Sequence, residues 1–271
     1  MAFRRTMIGV LAVWILAALI PTSAFASTFR LRVEDVTASA NGTGVVITDQ
    51  LIGGDAASQE GVISVMLFGL TNNVTMSLTL GMSKPALPGT GSSVYSQLYL
   101  QSFNLTTSGA TTVRLTLEDQ GFDGGVGLGP LALVNSIGGS FAAPTGSTLT
   151  TQAWASTTNY VPTLGADQAT PAALSPIGAT GTNSIGTAAQ TFTSTGLGTS
   201  FSGTEYAQFE ATGSYSLYTQ VVMAFTGAGN ISFSQDTLIP VPEPGTLLLL
   251  GTGVLGLAFG SRRRFSLAQS A

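Results

Sequence analysis

Glu118, Asp119 and Asp123 fall in a six-residue window, with Gln120, Gly121 and Phe122 between them and Gly124 and Gly125 just after. Hard cations such as Ca²⁺ take several oxygen ligands from a flexible loop, so these three carboxylates are the candidate metal ligands. The segment lacks the further acids and the closing Glu of an EF-hand loop, and its plainer reading is an acidic, solvated turn. No other cofactor is expected. Glycoside hydrolysis needs two carboxyl groups roughly 5 to 9 Å apart. Glu205 and Glu210 are five residues apart and would face opposite sides of one strand, and adjacent Glu118 and Asp119 have the same fault. The chain has no histidine and no cysteine. That removes the Ser-His-Asp triad, thiol nucleophiles, and imidazole or thiolate zinc sites. No Gly-x-Ser-x-Gly elbow is present, and Lys84, the lone lysine, sits in a turn-like Ser83-Lys84-Pro85. No catalytic residue emerges, and the chain is expected not to be an enzyme.

Other side chains suit recognition. Tyr95, Tyr99, Trp154, Tyr160, Tyr206, Tyr215 and Tyr218 would stack on sugar rings if exposed on one sheet face; otherwise they are core or cross-strand pairs. Residues 27–243 carry all 13 carboxylates against Arg30, Arg32, Lys84 and Arg114, a net charge of −9 that the whole-chain value of −4 hides. Such a surface repels nucleic acid and anionic lipid, so no nucleic-acid partner is expected.

The elements that must position these residues repeat with period two. Val113, Leu115 and Leu117 alternate with Arg114 and Thr116. Leu98 and Leu100 oppose Tyr95, Gln97 and Tyr99, and Ile231 and Phe233 alternate with Ser232 and Ser234. Phe29, Leu31 and Val33 alternate with Arg30 and Arg32. This is the pattern of half-buried antiparallel strands. Turn signals at Asn41-Gly42, Thr71-Asn72-Asn73, Ser108-Gly109, Gly138-Gly139 and Gly227-Ala228-Gly229-Asn230 divide them. The expected fold is all-β: an antiparallel β-sandwich over residues 27–240, with a jelly roll as one candidate arrangement. A low-complexity loop is expected over about 162–200.

Both ends read as processing signals. Arg4 and Arg5, an apolar run from Ile8 to Ile20, Pro21, and small residues at Ala24 and Ala26 make residues 1–26 a signal peptide for signal peptidase. At the other end Pro242-Glu243-Pro244 precedes 17 uncharged residues, 245–261, and then Arg262-Arg263-Arg264. That stretch would reach about 26 Å as a helix, a minimal membrane span, and the arginines would hold its foot in the cytoplasm. Residues 241–271 resemble the PEP-CTERM sorting signal of Gram-negative exopolysaccharide producers, with Pro242, Glu243 and Pro244 matching its motif. The resemblance implies recognition by exosortase, transient anchoring in the inner membrane, and delivery to the outer surface or beyond. The resemblance says nothing about the chemistry of the body, and the first reading is a non-enzymatic extracellular or surface protein associated with exopolysaccharide or biofilm matrix. A carbohydrate-binding β-sandwich, calcium-dependent or not, is the alternative; a two-carboxylate glycoside hydrolase is the third reading.

Overall fold

The alternation of apolar and polar residues becomes thirteen strands in a computed structural model, which describes residues 29–37, 43–49, 55–57, 61–71, 73–83, 95–123, 126–127, 129–157 and 184–240. The signal peptide expected at 1–26 and the sorting tail with its helix at 245–261 lie outside these residues. The strands are β1 (Arg30–Asp35), β2 (Thr43–Thr48), β3 (Val62–Thr71), β4 (Val74–Ser83), β5 (Tyr95–Thr107) and β6 (Thr111–Phe122). They continue as β7 (Pro130–Ala142), β8 (Thr148–Ser156), β9 (Ser184–Gly186), β10 (Gln190–Thr193), β11 (Leu197–Glu210), β12 (Tyr215–Phe225) and β13 (Gly229–Pro240).

Two antiparallel sheets result. The first runs β10-β8-β12-β6-β1-β2, with β9 also on β8; the second runs β11-β7-β13-β5-β4-β3. No helix occurs among the described residues. Their inward faces meet in one apolar core, where Leu31, Val33, Leu115, Leu117, Phe103, Phe141 and Phe233 are buried. Each buried Phe contributes about 2–3 kcal/mol by leaving water, and Phe103 and Phe233 touch with ring centroids 5.2 Å apart.

A bulge in β5 keeps the core continuous. Phe233 pairs with Phe103 but Gln235 pairs with Leu100, so β5 spends one more residue than β13 over this stretch. The inward set therefore switches from Leu98 and Leu100 to Phe103 and Leu105, and Ser102 takes a φ of 53°.

A polar tie also crosses the core. Gln235 on β13 approaches Asn135 on β7 through Nε2···Oδ1 at 2.8 Å, and reaches Thr151 and Thr219 of the other sheet at 2.7 and 2.6 Å. Buried polar groups are kept only when hydrogen-bonded, and this network fixes how the sheets sit on each other.

The structure departs from the sequence reading in two places. Gly138 and Gly139 form no turn; both lie inside β7. The stretch expected as a loop over 162–200 holds β9, β10 and the start of β11, while 162–183 lie outside the described residues. These strands are Thr-, Ser- and Gln-rich edges with little apolar alternation, so the periodic signal is absent although the ladder hydrogen bonds form.

Candidate functional site

On the outward face of the second sheet, β5, β13, β7 and β11 bound a shallow groove of about 310 Å³ lined by Tyr99, Ser136, Ile137, Gly138, Ser202, Gly203, Thr204, Ser234, Gln235 and Asp236. The pairing register assembles it. Asp236 stands between Tyr99 of β5 and Ser136 of β7, and Ser136 faces Thr204 of β11. One residue pair along, Ser234 stands opposite Gly138, and Gly138 opposite Ser202. Side chains of the same parity on adjacent strands share a face, so these rows stand together above the sheet.

The hydroxyls and the carboxylate are held by neighbours. Ser136 and Thr204 are hydrogen-bonded at 3.0 Å. Gln97 Nε2 donates to Asp236 Oδ1 at 2.7 Å, and the backbone N–H of Ser102, the bulge residue, donates to Ser234 Oγ at 3.1 Å. Burial pushes the Asp236 carboxyl above its ordinary range, and the Gln97 hydrogen bond pulls the other way. Gly138 makes the trough: a Cβ there would meet nothing closer than 3.8 Å, so a missing side chain leaves open room. Tyr206, 66% exposed, stands one row beyond Thr204 on β11.

Ten lining residues supply one carboxylate, several hydroxyls, one aromatic ring and no cation. The groove can accept and donate hydrogen bonds and lay a ring against Tyr99; it does not assemble the pair of carboxyl groups that glycoside hydrolysis uses.

The candidate metal ligands are not brought together. Glu118 points outward from the first sheet, its Oε1 2.9 Å from Arg30 Nη2 and its Oε2 3.3 Å from Arg32 Nη2. Asp119, its neighbour, points the other way and accepts a hydrogen bond from Ser83 Oγ, while Asp123 is exposed beyond the end of β6. Among the described residues no three acidic side chains cluster in a way that could hold a metal ion. Burial raises the Glu118 carboxyl to about 7, against the pull of Arg32 and Arg30. A second pair, Glu34 with Arg114 at 3.1 Å, lies on the same outward face. Glu205 and Glu210 share β11 and face opposite sides, as their spacing requires.

Of the aromatic candidates, Tyr99 and Tyr206 reach the groove face. Tyr215 is buried, donating to Ser96 Oγ at 2.7 Å, and Trp154 stacks on Tyr218 at 5.1 Å. Tyr160 lies outside the described residues, as do Ala24, Ala26, Pro242, Glu243 and Pro244. The sequence reading missed Asp236, Gln97, Ser136, Ser234, Thr204 and Gly138 as site residues. The parity of Ser232 and Ser234 already puts Asp236 on the polar side of its strand; which strands flank it was the missing information.

Comparison with known proteins gives one family match: residues 240–264 fit the model of the PEP-CTERM protein-sorting motif. No curated protein matches the chain. Among solved structures it is similar to TmCBM61 in complex with beta-1,4-galactotriose, at 12% identity over 49% of this chain and 68% of that one, TM-score 0.27. It is also similar to a carbohydrate-binding module of the β-sandwich superfamily, at 10% identity over 80% and 86% of the two chains, TM-score 0.31. The enzymatically active domain of tailspike protein 4 from bacteriophage CBA120 gives 13% identity over 70% and 21%, TM-score 0.27. Scores this low carry no inference about architecture or activity.

Proposed function

We propose that this chain, which carries the PEP-CTERM protein-sorting motif at residues 240–264, is an exosortase-processed surface protein whose body contacts extracellular polysaccharide without catalysing a reaction. The sorting motif is the observation that carries the reading. Pro240, Pro242 and Pro244 cannot donate to a strand ladder, so they favour release of the chain from the sheet after β13. In this reading exosortase recognises Glu243, which precedes a minimal apolar span with a basic foot in the sequence. The body's part rests on the groove: hydroxyls, one carboxylate and Tyr99 on an open sheet face suit a sugar chain.

The test is fractionation of wild-type and exosortase-null cells, with Glu243→Ala alongside. The processed form is expected outside the inner membrane in wild type. Loss of exosortase or of Glu243 leaves a larger, membrane-bound species with the body still folded. Unchanged release of the Glu243→Ala protein would refute the sorting role.

A further inference from the structure

We infer that the groove on the second sheet takes an internal stretch of a neutral, hydroxyl-rich glycan and discriminates against acidic ones. The inference rests on the reading of the body as a polysaccharide contact and adds the ligand class. Its centre is Asp236, held by Gln97 at 2.7 Å and flanked in register by Tyr99 and Ser136. A carboxylate accepting sugar O–H groups forms the stronger, charge-assisted kind of hydrogen bond. Around it Ser136, Ser202, Thr204 and Ser234 offer hydroxyls that both donate and accept. Tyr99 gives a flat apolar flank for the C–H face of a pyranose ring. The room for that ring is the absent side chain of Gly138.

Charge decides the class. No lysine or arginine lines the groove. Of the four cations in residues 27–243, Arg30 and Arg32 pair with Glu118, and Arg114 with Glu34, on the outward face of the other sheet; the fourth, Lys84, lies outside the described residues. A uronate, sulfate or phosphate group in the groove would meet Asp236 with no cation among the described lining residues, inside a body of net charge −9. Among the described residues the groove is shallow and open, with no wall to cap a chain end, so it fits the middle of a strand of sugars.

Affinity electrophoresis of the released mature protein tests this, in gels cast with neutral galactan, glucan or xylan and with acidic alginate or polygalacturonate. Retardation is expected in at least one neutral gel and in neither acidic one. Asp236→Asn is expected to weaken that retardation about tenfold, the loss typical of a hydrogen bond to a charged group. The wild type is expected to lose affinity on acidification, as protonation of Asp236 removes the charged acceptor, and Asp236→Asn should abolish that dependence. Gly138→Val should block the groove at unchanged melting temperature; if it does not fold, Asp236→Asn carries the test. Equal or stronger retardation by the acidic polymers, or wild-type affinity in Asp236→Asn, would overturn the inference while leaving polysaccharide contact standing. No retardation in any gel would overturn both.

Discussion

A single methyl group added at Gly139 should unsettle the sandwich, while the same change at Gly138 should not. The two glycines are adjacent on β7 and face opposite ways. At Gly139 a Cβ would run into the carbonyl oxygen of Ser232 and lie 2.7 Å from Phe233 Cβ and 2.8 Å from Phe201 Cζ. Two of these obstacles belong to β13 near its backbone, so a strand must shift, not a side-chain tip. The third, the Phe201 ring, has little freedom, with Phe141 at 5.0 Å and Phe192 at 4.9 Å. Overpacking of this kind costs about 1–3 kcal/mol, and a Gly-to-Ala change recovers about 0.4–1 kcal/mol by restricting the unfolded chain. The expected net loss for Gly139→Ala is thus about 1–2 kcal/mol, with Gly138→Ala neutral or slightly stabilising. Trp154, buried against Tyr218, is the one tryptophan of the described body and reports unfolding by fluorescence. With a urea slope of about 2 kcal/mol per molar, the midpoint should fall by roughly 0.5–1 M for Gly139→Ala and hold for Gly138→Ala. Equal midpoints for the two variants would refute the packing argument.

Further outcomes follow from the buried polar groups. Glu118 is raised from 4.5 to about 7, so the folded state holds its proton more tightly than the unfolded chain. Its contribution is full below the unfolded value and is lost as pH rises through about 7, on the order of 3 kcal/mol. Denaturation midpoints should therefore fall between pH 5 and 8, and Glu118→Gln should flatten that slope; equal slopes in both proteins would contradict the assignment. Gln235→Leu strips a donor from Asn135, Thr151 and Thr219 and should cost about 1–3 kcal/mol. A midpoint unchanged from wild type would show that the tie between the sheets is dispensable.

The fold class was legible because period-two alternation is strong where one face packs on a core, as in Val113, Leu115 and Leu117. The same rule put Gln97 and Tyr99 on the face opposite Leu98 and Leu100, where the groove is. It failed at Gly138 and Gly139, because a glycine demanded by close strand approach looks in sequence like one demanded by a turn. It failed again from Ser184 to Ser200, where edge strands made of Thr, Ser and Gln are held by backbone bonds more than by buried side chains. The alternation set Arg32 and Arg114 apart from the apolar core but carried no sign that both are buried in ion pairs. Asp236 was hidden for a different reason: a groove four strands wide depends on long-range register, and no local pattern encodes which strands become neighbours.

Intact-mass measurement of the protein recovered outside the inner membrane tests the account most directly. The mature species should begin after Ala26 and end close to Pro242-Glu243-Pro244, without the apolar stretch or the three arginines. A mass that retains residues 246–264 would contradict delivery by sorting and leave the body a tethered domain at the inner membrane.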